Sequence, residues 1–139
     1  MLKLAVILAA HLLFALPAHA ASFEPDQNGA ISFNMPSGNV GCIYIPEGGT
    51  AVYQPENGQA ELQCDRVEPA YTRVLLGDSG KAHKTTNVGD ASCCGADNIF
   101  QYGESWSEGP FTCTSSTTGL TCRNGGHGFK MSRKRVSVW

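Results

Sequence analysis

All six cysteines of this chain fall between Cys42 and Cys122, and two of them, Cys93 and Cys94, are direct neighbours. An even number of cysteines in a small exported chain reads as a disulfide framework. The first segment bears on whether this chain is exported. Lys3 supplies the one positive charge of a short leading region, and "LAVILAAHLLFAL" follows as an apolar run interrupted by His11. Pro17 breaks it, and "AHA" places small side chains at Ala18 and Ala20, the positions a signal peptidase reads. Residues 1–20 are therefore expected to be a cleaved signal peptide. Residues 21–139 remain as a single β domain, large enough for a real core. The apolar run is too short for a span of about 20 residues, and no later stretch is apolar enough to cross a membrane. The expected location is periplasmic or secreted, with no membrane insertion after cleavage.

The rest of the sequence has the pattern of short strands. Glycine is frequent, and turn signals recur between alternating stretches. In "AISFNM", Ile31, Phe33 and Met35 share one face and Ser32 and Asn34 the other. "PSGN" is a turn, and "VGCIYIP" is the next strand. "TAVYQP" and "AELQCDRV" are expected as strands flanking a hairpin at Asn57-Gly58. "YTRVLLG" is a further strand, with "KAHKTTNV" returning from it. The stretch "GFKMSRKRVSVW" alternates twice with different phase, which predicts a bulge or bend near Arg133 to Arg135. No stretch supports a long amphipathic helix. The fold class expected is all-β: a disulfide-stapled sandwich or partly closed barrel of about seven to nine short antiparallel strands.

The clearest local inference is "FTCTSSTTGLTC". A hairpin turning about Thr117-Thr118 sets Cys113 opposite Cys122 and Ser115 opposite Leu120. A bridge there staples the hairpin, and a slip of one residue would send one cysteine to the wrong face. Cys42 and Cys64 fall on neighbouring strands and make a second pair, worth about 2–4 kcal/mol if unstrained. Cys93 and Cys94 then remain. A bridge between the neighbours closes a small ring, whose strain favours reduction. Two long-range bridges that rearrange the other pairs, or two free thiols, stay open as alternatives.

Charge is unevenly placed. Residues 22–108 carry twelve acidic side chains against Arg66, Arg73, Lys81 and Lys84, whereas residues 109–139 carry five basic side chains and no acidic one. The acidic body would repel phosphate, so nucleic acid is not an expected partner. "KMSRKR" reads as a solvated strand face; a patch for an anionic envelope component is the sharper alternative.

Motifs of catalysis are missing: there is no G-x-S-x-G, H-E-x-x-H, C-x-x-C or phosphate loop. Glu104 and Glu108 around "GESWSEG" are the one carboxylate pair suited to acid–base work on a sugar. Cys93 and Cys94 are the pair suited to thiol oxidoreduction. With a histidine they would also suit copper or zinc, but bridges explain six cysteines in an exported chain better, so neither metal nor cofactor is expected. His83 in "KAHK" reads as an exposed strand residue, and His127 in "GGHGF" as a turn residue. "NIFQYGESW" gathers Phe100, Tyr102 and Trp106. Such clusters are usually core, yet tryptophan in a Gly- and Ser-rich setting also serves recognition. These three residues with His127 are the expected binding surface.

Four stretches occur in order: Phe33 to Cys42 ("FNMPSGNVGC"), Tyr102 to Trp106 ("YGESW"), Cys113 to Cys122, and Gly126 to Arg133 ("GHGFKMSR"). With them the chain resembles a family of small exported bacterial domains of unknown function, marked by PSGN-x-x-C, YG and GHGF-x-x-SR. The resemblance covers nearly all of residues 21–139 and implies location and a disulfide-bearing β architecture, not a reaction. One departure matters. The resemblance implies a cysteine after the "CDR" strand as partner to the region of Cys93 and Cys94, and "VEPAYTRVLLG" has none. That favours a bridge between the neighbours, with free thiols still open.

The functional expectation is a non-enzymatic envelope or extracellular module binding a protein or polysaccharide, monomeric or weakly dimeric. A periplasmic inhibitor of a cell-wall hydrolase is the alternative within binding, by class analogy. An enzyme, either a hydrolase using Glu104 and Glu108 or a thiol oxidoreductase using Cys93 and Cys94, is the rival from another class.

Overall fold

The computed structural model describes residues 19–139. Of the expected signal peptide, only His19 and Ala20 fall within them; the rest lies outside the described residues. Eleven strands follow in order: β1 His19–Ala20, β2 Ile31–Asn34, β3 Val40–Ile45, β4 Glu61–Arg66, β5 Thr72–Gly77, β6 His83–Thr85, β7 Glu104–Glu108, β8 Phe111–Ser116, β9 Gly119–Asn124, β10 His127–Met131 and β11 Val136–Val138. There is no helix among the described residues.

The strands form two sheets packed face to face, a sandwich and not a closed barrel. One sheet runs β2-β3-β4-β5-β6, an antiparallel meander. The other runs β1-β7-β8-β9-β10-β11, antiparallel except that β1 lies parallel to β7. Strand alternation sends every second side chain inward. Phe33, Leu62, Cys64, Val74 and Leu76 thus meet Phe111, Cys113, Leu120, Cys122, Phe129 and Met131 between the sheets. Each of the four fully buried phenylalanines contributes about 1.5–3 kcal/mol by leaving water. At one end of the core the ring of Phe33 lies 5.2 Å from Phe100 and 5.1 Å from Trp106, with Phe23 stacked on it at 5.2 Å.

Both expected staples form, and both are cross-strand. Cys42 is the direct partner of Cys64 across β3 and β4, and Cys113 of Cys122 across β8 and β9. The β8–β9 register, with Ser115 opposite Leu120, is the one its turn dictates. Polar links also join the sheets. Asn124 Nδ2 donates to Gly77 O at 2.9 Å. The buried Arg66 guanidinium reaches from β4 to Ser132 O at 3.2 Å, and to Ala70 O and Thr72 Oγ1 at 3.0 and 2.9 Å.

Two strand expectations need correction. "TAVYQP" is loop, because Thr50 Oγ1 accepts from the amides of Val52 and Tyr53 and turns the chain locally. The Asn57-Gly58 turn exists without a strand before it. The bulge near Arg133 to Arg135 is instead a hairpin: Ser132 N donates to Arg135 O at 2.8 Å, and β11 folds back on β10. The reversal of direction explains the change of phase, and "SRKR" is a turn rather than a strand face.

Candidate functional site

After β6 the chain crosses the outer face of the meander sheet as an irregular segment, residues 86–98, before it enters β7. Side chains from that face tie it down. Arg73 and Asp65 are direct partners across β4 and β5. Arg73 Nε donates to Asp65 Oδ1 and Nη2 to Oδ2, each at 2.8 Å, the bidentate geometry of a strong ion pair. Arg73 Nη2 also donates to Asp90 O at 2.9 Å. Tyr71 Oη donates to Asp65 Oδ2 at 2.6 Å and accepts from the Cys93 amide at 3.1 Å.

Asn34 does the same work from β2. Its Nδ2 donates to Cys94 O at 3.1 Å and to Ala96 O at 2.9 Å. Its backbone accepts from Phe100 N and donates to Asn98 O, a parallel bridge at the sheet edge. Asn98 Nδ2 donates to Ser32 O at 2.9 Å. Asn34 belongs to the outward set of its strand and is nevertheless 6% exposed, because this segment covers it.

Cys93 and Cys94 are bonded to each other, so the described structure has no free cysteine. Their sulfurs rest on Gly41: a Cβ there would stand 2.9 Å from each sulfur and 2.5 Å from Asn34 Oδ1. Glycine at 41 is what lets the disulfide lie on the sheet.

The crossing leaves a cleft of about 570 Å³ over the sheet. Asn34, Gly41, Gln63, Asp65 and Arg73 form its floor, and residues 92–98 one wall. Glu24, Asp26 and Tyr53 also line it. Among its charged residues Glu24, Asp26, Asp65, Asp90 and Asp97 stand against one cation, Arg73, which is paired with Asp65. That bond, more than Coulomb attraction, holds the Arg73 guanidinium above its ordinary pKa. Burial first, then the bond to Asp65, pushes the Tyr71 phenol up.

The residues singled out in the sequence do not converge on this cleft. Phe100 and Trp106 are core residues, 0% and 3% exposed, and are withdrawn as ligand contacts. The strand that carries Trp106 turns it inward against Phe33. Tyr102 is exposed, but it borders a second, small hollow near Ser132 and Arg133. His127 and His83 are exposed strand residues in different sheets, and His127 opens β10 rather than lying in the turn before it. Glu104 and Glu108 stand at opposite ends of β7, about 13 Å apart along a strand, beyond the spacing of a glycosidase pair. Glu104 Oε2 accepts from the Gln101 amide at 2.8 Å. Of the residues singled out in the sequence, only Cys42, Cys93 and Cys94 line the cleft. Asp65 and Arg73 were within reach of sequence reading, since the β4–β5 register makes them neighbours; Asn34 and Gly41 carried no local signal.

Comparison with protein-family models, with curated proteins and with solved structures finds no match.

Proposed function

We propose that the protein is a non-enzymatic binding module of the cell envelope or extracellular space, and that its ligand occupies the cleft beneath residues 92–98. The observation that carries this reading is a cleft preorganised on a sheet. Its floor side chains are fixed by one another, and its wall is held by Arg73, Tyr71, Asn34 and Asn98. Rigid sites lose little freedom on binding, which favours affinity. Three bridges, two of them buried cross-strand staples, fit an oxidising compartment.

The test compares wild type with Ser32→Trp, which fills the cleft from a β2 side chain that makes no hydrogen bond of its own. Each is immobilised and exposed to solubilised envelope proteins and glycans. A species held by wild type and lost from a folded Ser32→Trp variant supports the reading. Equal retention by both, or by neither, overturns it.

A further inference from the structure

The bond between Cys93 and Cys94 lies among the hydrogen bonds that hold the cleft wall. Before it, the Cys93 amide donates to Tyr71 Oη at 3.1 Å. After it, Asn34 Nδ2 donates to Cys94 O at 3.1 Å and to Ala96 O at 2.9 Å. Both sulfurs rest on Gly41, where one added carbon would stand 2.9 Å from each. The bond is also the accessible one of the three. Cys93 and Cys94 are half-buried and line the cleft, whereas Cys42, Cys64, Cys113 and Cys122 are buried in the core.

Sulfurs joined in a disulfide stand about 2 Å apart. Two thiol sulfurs must separate to van der Waals contact, about 3.5–4 Å. The sheet gives no depth for this, because the pair already lies against Gly41. One sulfur has to leave. Cys93 Sγ is 3.8 Å from Asp65 O, a carbonyl that can accept from a thiol but receives nothing from a bonded sulfur. Cys93 thus gains a partner on reduction, and Cys94 is the residue that moves, drawing its carbonyl off Asn34.

We infer that the Cys93–Cys94 bond is a redox-operated clamp on the cleft: an external dithiol opens it in the folded protein, and the wall at Cys94 then lifts from Asn34. One thiolate of the dithiol attacks a cysteine sulfur, the bond between the cysteines breaks, and the other cysteine leaves as a thiolate that takes a proton from water. The second thiolate of the dithiol attacks the mixed disulfide, releases the first cysteine to take its own proton, and closes the reductant's disulfide. Two electrons pass to the protein, and an external disulfide reverses the step. Control of ligand binding by this clamp rests on the cleft being the ligand site; the clamp itself does not.

The test follows the full oxidised protein by its amide spectrum before and after dithiothreitol, at a dose that releases two thiols. The Asn34 carboxamide should shift, and its hydrogens should exchange with water about tenfold faster, the effect of losing one hydrogen bond. Strands β8 and β9 should not change, and re-oxidation should restore the first spectrum. The double variant Cys93→Ala, Cys94→Ala has no bond to open and should ignore the reductant. An equal response from that variant overturns the proposal. So do shifts confined to residues 92–95 with Asn34 exchange unchanged, and a bond that yields only as the whole domain unfolds. An envelope species captured by the oxidised protein should be released by the same dose. If it stays bound although Asn34 reports the opening, the cleft fails as the ligand site and the clamp stands.

Discussion

Gly41 lies directly beneath Cys93, at a distance where a single added methyl carbon would stand 2.9 Å from the sulfur. The same methyl would be equally close to Cys94 and closer still to Asn34 Oδ1. Gly41 has no left-handed backbone conformation to protect, so its role is steric. Gly41→Ala must therefore lift the disulfide from the sheet or push β3 down. The expected cost is about 1–3 kcal/mol, as for overpacking a tight contact. Urea melts measure it, and amide exchange should rise in residues 90–98 and not in β8–β9. A variant of unchanged stability with unchanged exchange would show that the sulfurs do not rest there.

Asp65 is the centre of the clamp. It is 5% exposed, with Arg73 on both oxygens and Tyr71 Oη on one. Arg73→Met leaves that carboxylate buried with one hydroxyl partner, which is expected to destabilise by about 3 kcal/mol. Asp65→Asn combined with Arg73→Met should recover part of the loss, because the uncompensated charge is gone. A double-mutant cycle by chemical denaturation reads the coupling. Additive losses would mean that solvent, not Arg73, carries the charge of Asp65.

How much of this was legible beforehand follows from the range of the interactions. Cys113 opposite Cys122 could be read because a two-residue turn fixes register within its own hairpin. The β3–β4 neighbourhood was legible only through Cys42 and Cys64, because residues 46–60 separate the two strands and "TAVYQP" was the hairpin partner expected for β4. The alternation of Ile31, Phe33 and Met35 placed them in the core correctly. The burial of Asn34 was not legible, since what covers it arrives about sixty positions later as a segment without periodicity. Trp106 left both readings, core and surface contact, open for the opposite reason. Its Gly- and Ser-rich neighbours suggest a surface loop, yet "ESWSE" is a strand with the ring turned to the core. The change of phase near Arg133 does not tell a reversal from a bulge, because the two leave the same trace in one sequence.

Glu61 offers a pH-dependent check. Burial first, and then the charge of Glu56, raises its carboxyl above the ordinary 4.5. A carboxyl raised on folding binds its proton more tightly in the native state. Its contribution is therefore most favourable in acid, falls as pH rises through the ordinary value and the folded one, and stays as a constant penalty above. Glu61→Gln should gain stability at pH 7, by about 0.5 kcal/mol or less once solvent screening is counted. The gain should vanish well below pH 4.5. Thermal melts of both proteins across this range give the difference; a gain that persists in acid would assign the effect to packing.

The three disulfides should also separate by access. Cys64, Cys113 and Cys122 are 0% exposed and Cys42 is 6% exposed, so their sulfurs are closed to a thiolate unless the sheets open. Cys93 and Cys94 are only half-buried and line the cleft, where an attacking thiolate can approach in the native state. The untreated, denatured protein should contain no free thiol. A small dithiol reductant acting on the native protein should release two thiols before the other four, and alkylation followed by peptide mapping should place both labels on "SCCGADN". Retention of the near-ultraviolet circular dichroism of the buried aromatic core during that first step would show that the bond clamps the cleft wall without supporting the sandwich. Release of four or six thiols together would show instead that opening the neighbouring pair unfolds the domain, and the segment over Gly41 would then be part of the structural core.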